Sequence, residues 1–359
     1  MSTTASPRMV QLDGLRGIAV IMVIFHHWTS WGHALGLGNI GVQLFFVLSG
    51  FLITGILLDA REGAAPGRWF PSTFREFTLN RVARIWPIYI LVLVAVALTG
   101  DRFERHEAMP MHFLFLSNVL FAIRGEFGTT LSHFWSIGVE QQFYLVWPFA
   151  VLLIDKKRLE WLTFALIASA PLFRLTMVML GFENFASFNT LPFASMDSLG
   201  MGALISIWIR MPEAESTLRV RRLSSMAIAA AFAFALLRVS QIDTFNAEQT
   251  LYAIVFAWVV ILACKGILGR AGQVLESRPL VAVGLVSYGV YVYHMFIPRA
   301  VAFLLRLIDT PIFLQDGLFF FLLCTVATIT LAGASWFLIE RPVINLRRSF
   351  RIQSTTHAI

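Results

Sequence analysis

The chain has little charge and almost no cysteine. Asp, Glu, Lys and Arg make up 14% of its 359 residues, against 57% hydrophobic, and the mean hydropathy is +0.73. A soluble domain of this length needs more polar surface, so the scarcity of charge excludes one and leaves a polytopic membrane protein. No polar stretch is long enough to fold alone. That excludes soluble catalysis elsewhere and leaves one membrane-embedded domain, 1–345, with a short basic tail, 346–359. Only Cys264 and Cys324 occur, both inside apolar runs, and they read as packing residues rather than a disulfide or thiolate site. No histidine pair at i,i+4 with a carboxylate appears, so no metal is expected. A small-residue cleavage site is missing after the first apolar run, which Asp13 and Arg16 enter, so that run is expected to be retained.

The net charge of +7 is spread over connections rather than gathered in a patch. It therefore points to the positive-inside rule and not to nucleic acid. Apolar runs lie near 14–30, 39–58, 85–99, 111–124, 134–154, 160–181, 191–209, 223–239, 250–264, 280–305 and 316–339. Basic connections at 59–84, 155–160, 210–222 and 265–278, with the tail after 339, should be cytoplasmic. The first two of these connections can share a side only if one of the three runs between them does not cross. The segment 111–124, the shortest, followed by Gly125 and Gly128, is expected to be re-entrant or interfacial. The expected fold is thus an all-α membrane bundle of about ten transmembrane helices, with both termini cytoplasmic.

Polar groups inside these runs mark the place for chemistry, since a charge at mid-bilayer costs on the order of 3 kcal/mol. Arg16 and His27 are eleven positions apart, so on a helix they share a face to within about 20° and stand roughly 16 Å apart along the axis. Asp13 lies one turn further back and is expected to neutralise Arg16. His26 points off that stripe. Arg81 and Arg84 gather at the same mouth as Arg16. Glu140 falls about two turns inside its run, where a carboxylate needs a partner. Ser287, Tyr291 and His294 form one stripe, while Asp197 and Glu340 enter two further runs. Each of these alone also fits a packing role.

Taken together and in this order, the pieces resemble acyltransferase family 3, integral-membrane acyltransferases of bacterial surface glycans and some small molecules. The matching stretches are Leu12-Asp-Gly-Leu-Arg16 with His27 after ten intervening residues, Gly41-Val-Gln-Leu-Phe-Phe-Val-Leu-Ser-Gly-Phe-Leu-Ile53, and Asn80-Arg-Val-Ala-Arg84-Ile-Trp-Pro87. Phe134-Trp-Ser-Ile-Gly-Val-Glu140 through Tyr144, Asp197, Ser287 to His294 and Glu340 to Pro342 complete the set, which covers nearly the whole chain. Some members carry an additional extracytoplasmic hydrolase-like domain, which is not expected here. An acceptor would then come to the membrane domain itself, or the acyl group would pass to a separate glycan-assembly partner.

The resemblance implies an acyl-coenzyme A donor, commonly acetyl-coenzyme A, used as co-substrate from the cytoplasmic side, with no permanently bound cofactor. The acceptor hydroxyl would lie on the outer side, on a cell-surface polysaccharide or another acceptor. Arg81 and Arg84 would clamp the donor's phosphates, with Arg16 further along the route. His27 fits either a general base or a transient acyl-histidine, because an imidazole titrates near neutral pH. Glu140 would fix the imidazole tautomer or position the acceptor. Ser49 and Ser287 read as packing hydroxyls. The inner membrane of a bacterium is the expected location. The competing reading is a proton-coupled secondary transporter with buried Arg, His, Asp and Glu, against which stands the lack of two matching inverted halves.

Overall fold

The computed structural model of the chain describes residues 9–63, 69–99, 108–128, 130–182, 184–240, 247–307 and 317–356. The regular elements among them are helical. Helix α1 (Val10–Trp28) and the short α2 (Ser30–Ala34) lead into α3 (Leu37–Glu62) and α4 (Trp69–Thr99). Two short helices follow, α5 (Met109–Phe113) and α6 (Ser117–Arg124), then α7 (Phe134–Leu153), α8 (Lys156–Met179) and α9 (Phe185–Phe188). A 3₁₀ turn at Pro192–Ser195 opens α10 (Met196–Trp208), which is followed by α11 (Glu213–Ser240), α12 (Glu248–Lys265), α13 (Gly269–Leu275) and α14 (Arg278–Leu285). The chain closes with α15 (Ser287–Tyr293), α16 (Ile297–Leu307) and α17 (Gly317–Ser335), which passes through a π turn at Trp336–Glu340 into α18 (Arg341–Thr356).

Six helices among the described residues are long and apolar enough to cross a bilayer, seven if the bent pair α15 and α16 counts as one span. The protein is a multi-pass helical membrane protein. Three expected spans fall outside that set: α1, α7 and α10. The first two carry Asp13, Arg16, His27 and Glu140 on 19- and 20-residue helices, and α10 has only 13 residues, all buried. Helix α10 and the buried faces of α1 and of the first half of α7 lie against protein, where the apolar requirement relaxes, while Leu145, Val146, Phe149 and Leu153 of α7 face outwards. Helix α3 is the hub, packed against α1, α7, α10 and α12. Its closest partner is α10, where Gly50 meets the Leu199 carbonyl and Gly202 meets the Val47 carbonyl with no room for a methyl group.

Segment 111–124 does not form one crossing helix. Its two pieces have 5 and 8 residues and meet at Phe115, whose φ is 56°. The break strands the Phe115 carbonyl, and Gln142 Nε2 donates to it at 2.9 Å. The run 280–305, expected as one span, is also broken. It divides at Val286 and at 294–296, with a 60° bend between α15 and α16. In contrast, α4 starts well before its apolar run, so Arg81 and Arg84 stand inside a 31-residue helix rather than at its start. Residues 346–356 of the expected tail continue α18, whereas residues 1–8 and 357–359 lie outside the described residues.

Candidate functional site

Three cavities follow one another through the middle of the bundle. The first, of about 930 Å³, is rimmed by six arginines: Arg16, Arg81, Arg84, Arg210, Arg341 and Arg347. Arg16 and the pair Arg81/Arg84 come from different helices, and the three-residue step puts the latter two on one face of α4. Two of the six are neutralised. Arg16 Nη1 lies 3.3 Å from Asp13 Oδ1, and Arg210 holds Asp59 through two bonds of 2.7 and 2.9 Å. Among the described residues no carboxylate lies within ion-pair distance of Arg81 or Arg84. The buried Nε atoms of Arg81 and Arg347 have no hydrogen-bond partner. A cavity with surplus positive charge and orphaned guanidinium donors suits a polyanionic ligand.

Arg16, Arg81 and Arg84 also line the second cavity, which is smaller, about 100 Å³. Its walls include Ser49, Ser136, Glu140, Tyr144, Ser287, Tyr288 and Tyr291. Ser49 donates to Glu140 Oε1 at 2.6 Å and accepts from the Tyr144 hydroxyl at 3.0 Å. Tyr144 stands four residues after Glu140, one turn along the same face of α7. Ser136 Oγ and the Tyr291 hydroxyl are 2.6 Å apart, and Tyr291 donates to the His133 carbonyl at 2.9 Å.

Val42 and Tyr291 are shared with the third cavity, of about 460 Å³, whose polar wall is His26, His27, Asn39, Ser132 and His133. His27 is exposed on this wall. Its ring centre is 4.9 Å from that of His26 and 5.0 Å from that of His294. Arg16 and His27 therefore occupy the same unbroken helix, α1, one in the first two cavities and the other in the third.

The structure thus brings Arg16, Arg81, Arg84, Ser49, Glu140 and Tyr291 around one space and sets His27 beyond it. Glu140 does not face His27, as its depth in the sequence suggested. No hydrogen bond joins them, and the carboxylate is turned towards Ser49 and Tyr144 within electrostatic reach of Arg16 and Arg81. Ser49, expected to pack, is a member of this polar cluster. His294 lies against His27, fully buried. Glu340 is buried at the π turn, within electrostatic reach of Arg84. Asp197 belongs elsewhere: it pairs with Arg174 at 2.7 Å, both buried, in a network with Gln249 and Thr250 that lines none of the three cavities. Among the described residues no cluster of three or more metal-ligating side chains occurs.

Sequence reasoning gave no role to Tyr144, His133, Arg341 or Arg347. The i,i+4 spacing from Glu140 would have flagged Tyr144. Arg341 stands inside the matched Glu340 to Pro342 stretch but was given no role, and Arg347 was read as part of the basic tail.

A family model described as an acyltransferase domain matches residues 9–337. The "Peptidoglycan O-acetyltransferase OatA" of Listeria monocytogenes serovar 1/2a is 26% identical over 361 residues, covering 92% of this chain and 55% of the relative. The "Putative peptidoglycan O-acetyltransferase YrhL" of Bacillus subtilis (strain 168) is 27% identical over 358 residues, covering 92% of this chain and 54% of the relative. The chain spans about half the length of these curated relatives. No solved structure matches. With the family domain running from the start of α1 to the π turn after α17, and the Arg16, His27, Arg81 and Arg84 positions all lining its cavities, the chain belongs to acyltransferase family 3.

Proposed function

We propose that the chain is a membrane O-acetyltransferase. It moves an acetyl group from acetyl-coenzyme A, held in the arginine-lined cavity on the cytoplasmic side of a bacterial inner membrane, to a hydroxyl of a cell-surface glycan at the histidine end. The observation that carries this reading is the succession of cavities: the first two share Arg16, Arg81 and Arg84, and the last two share Val42 and Tyr291. Coenzyme A carries phosphates on a nucleotide head and a thioester at the end of a long arm. The large basic cavity suits the head, with planar guanidinium forks gripping phosphate oxygens two at a time. The narrow central cavity, of about 100 Å³, suits the arm. The glycan named for both relatives is peptidoglycan, and a wall polysaccharide of that class is the acceptor proposed here.

In the transfer step the acceptor oxygen attacks the thioester carbonyl carbon while its proton passes to His27. The carbon–sulfur bond breaks, the ester forms, and the departing thiolate takes the proton from the imidazolium. Each turnover leaves His27 neutral again.

The test uses the purified chain in liposomes, with labelled acetyl-coenzyme A and an N-acetylglucosamine oligosaccharide as acceptor. A guanidinium–phosphate contact contributes about 1.5–3 kcal/mol, so Arg81→Ala or Arg84→Ala should each raise the KM for acetyl-coenzyme A about tenfold or more. An unchanged KM in both variants contradicts the donor cavity.

A further inference from the structure

Among the described residues no carboxylate acts on His27, the exposed base of the proposed reaction. What stands behind it is a buried imidazole with an unused lone pair. His294 is fully buried and follows α15 directly, where the broken helix leaves carbonyls without backbone donors. Its Nδ1 lies 2.6 Å from the Tyr291 carbonyl oxygen, which can only accept, so the proton of the neutral ring sits on Nδ1. Nε2 is then a bare acceptor, and it is buried with no hydrogen-bond partner. Such an orphan costs free energy until a donor reaches it.

Among the described residues the neighbours narrow the donor to one group: His26, also within electrostatic reach, has its Nδ1 facing the Gly32 carbonyl at 3.4 Å. His133 has its ring centre 4.8 Å from that of His294, yet its Nε2 is 3.2 Å from the Val292 carbonyl and must spend its proton there. Neutral His133 therefore presents only a second bare nitrogen, Nδ1, which is also buried without a partner. Tyr291 donates to the His133 carbonyl or to Ser136. Trp28 donates its indole N–H to the His294 carbonyl oxygen at 3.1 Å, not to the ring. His27 remains, with its ring centre 5.0 Å from that of His294. Two imidazoles joined by an N–H···N bond have centres about 5 Å apart, from a bond of about 2.9 Å plus the distance from each nitrogen to its ring centre. The rings are tilted by 44°, so the bond calls for a rotation of the exposed His27 ring against the buried one.

We infer that His294 is a positioning residue: its Nε2 accepts a hydrogen bond from one ring nitrogen of His27, which leaves the other His27 nitrogen unprotonated and turned towards the acceptor hydroxyl. A neutral imidazole thus does for His27 what a buried carboxylate does for the histidine of a hydrolase triad, without placing an anion beside a partly apolar cavity. The role rests on His27 being the base, as proposed above.

The test compares single and double variants in the liposome assay, with acetyl-coenzyme A and the oligosaccharide. His294→Leu removes the acceptor atom and should lower kcat about 100-fold, the scale of a misplaced base, with the KM for acetyl-coenzyme A unchanged because the donor cavity is untouched. His294→Gln, whose side-chain oxygen can accept the same bond, should recover a large part of that loss. In a His27→Ala background, His294→Leu should cause no further loss of the slow residual transfer that substrate binding alone supports and that the purified assay, unlike cells, can resolve, because a residue acting through His27 has nothing left to position. A full additional loss in that background, or near-normal kcat in His294→Leu, overturns the positioning role while leaving the base in place. Normal activity in His27→Ala alone overturns both. If His294→Leu also loses coenzyme A binding, the His294→Gln comparison and the double variant built on it decide in the same way.

Discussion

A buried guanidinium is tolerated only where its charge is answered, and the two classes of arginine in this protein differ on that point. Arg174 has its charge answered by a carboxylate, although its Nε has no partner: it is 1% exposed, pairs with Asp197, and also donates to the Ala194 carbonyl, Gln249 and Thr250. Among the described residues Arg81 and Arg84 have no such carboxylate, and under the proposed function the donor's phosphates would answer them. Removing one partner of the closed pair should therefore hurt folding rather than chemistry. Asp197→Ala leaves the Arg174 charge buried and unpaired and should cost about 3–5 kcal/mol, read as a large fall in the thermal midpoint of the solubilised protein. The double variant Arg174→Met/Asp197→Leu should recover much of it, and equal destabilisation of both variants would contradict the pairing. Arg16, His27, Arg81 and Arg84 were legible in the sequence because spacing along one helix fixes a shared face. The partners of Glu140 and Asp197 were not, because they come from other helices: Ser49 is 91 positions from Glu140, and Arg174 is 23 from Asp197.

Helices here are cut and trimmed where the site needs backbone and side chains at depth. Hydropathy found the apolar runs, and the all-helical membrane fold with them, but an apolar run looks the same whether it is continuous or broken. The breaks after α5 and α15 became visible only through the side chains that satisfy their stranded carbonyls, namely Gln142, His133 and His294. Conversely, the early turns of α4 were read as a connection because they carry Arg75, Glu76 and Arg81 amid a basic stretch. The α3–α10 contact is the element on which the site depends most, since α3 carries Ser49 and the α10 backbone lies directly against it at Gly50. Gly202→Leu should force these helices apart at a cost of about 1–3 kcal/mol or more, lowering both the thermal midpoint and transfer activity. Gly333→Ala, where a methyl group meets nothing, is the matched control and should do neither. A Gly202→Leu protein as stable and active as that control would show the close approach to be unimportant.

Across the whole molecule, one face of α1 links a basic cavity to a histidine-lined one through a narrow centre. A transporter would also need a path of this kind, but membership of acyltransferase family 3 and the open His27 ring favour group transfer along it. The route ties donor recognition to acceptor chemistry through shared walls, so loss of the base should leave the protein inserted and able to hold its donor yet unable to pass the acetyl group on. The most direct measurement is the O-acetyl content of the cell-wall glycan, by mass spectrometry, in cells making the wild-type chain, the His27→Ala variant at equal membrane abundance, or no chain. Ester content in the His27→Ala cells should fall to that of cells without the chain, and content near the wild-type level would contradict the account.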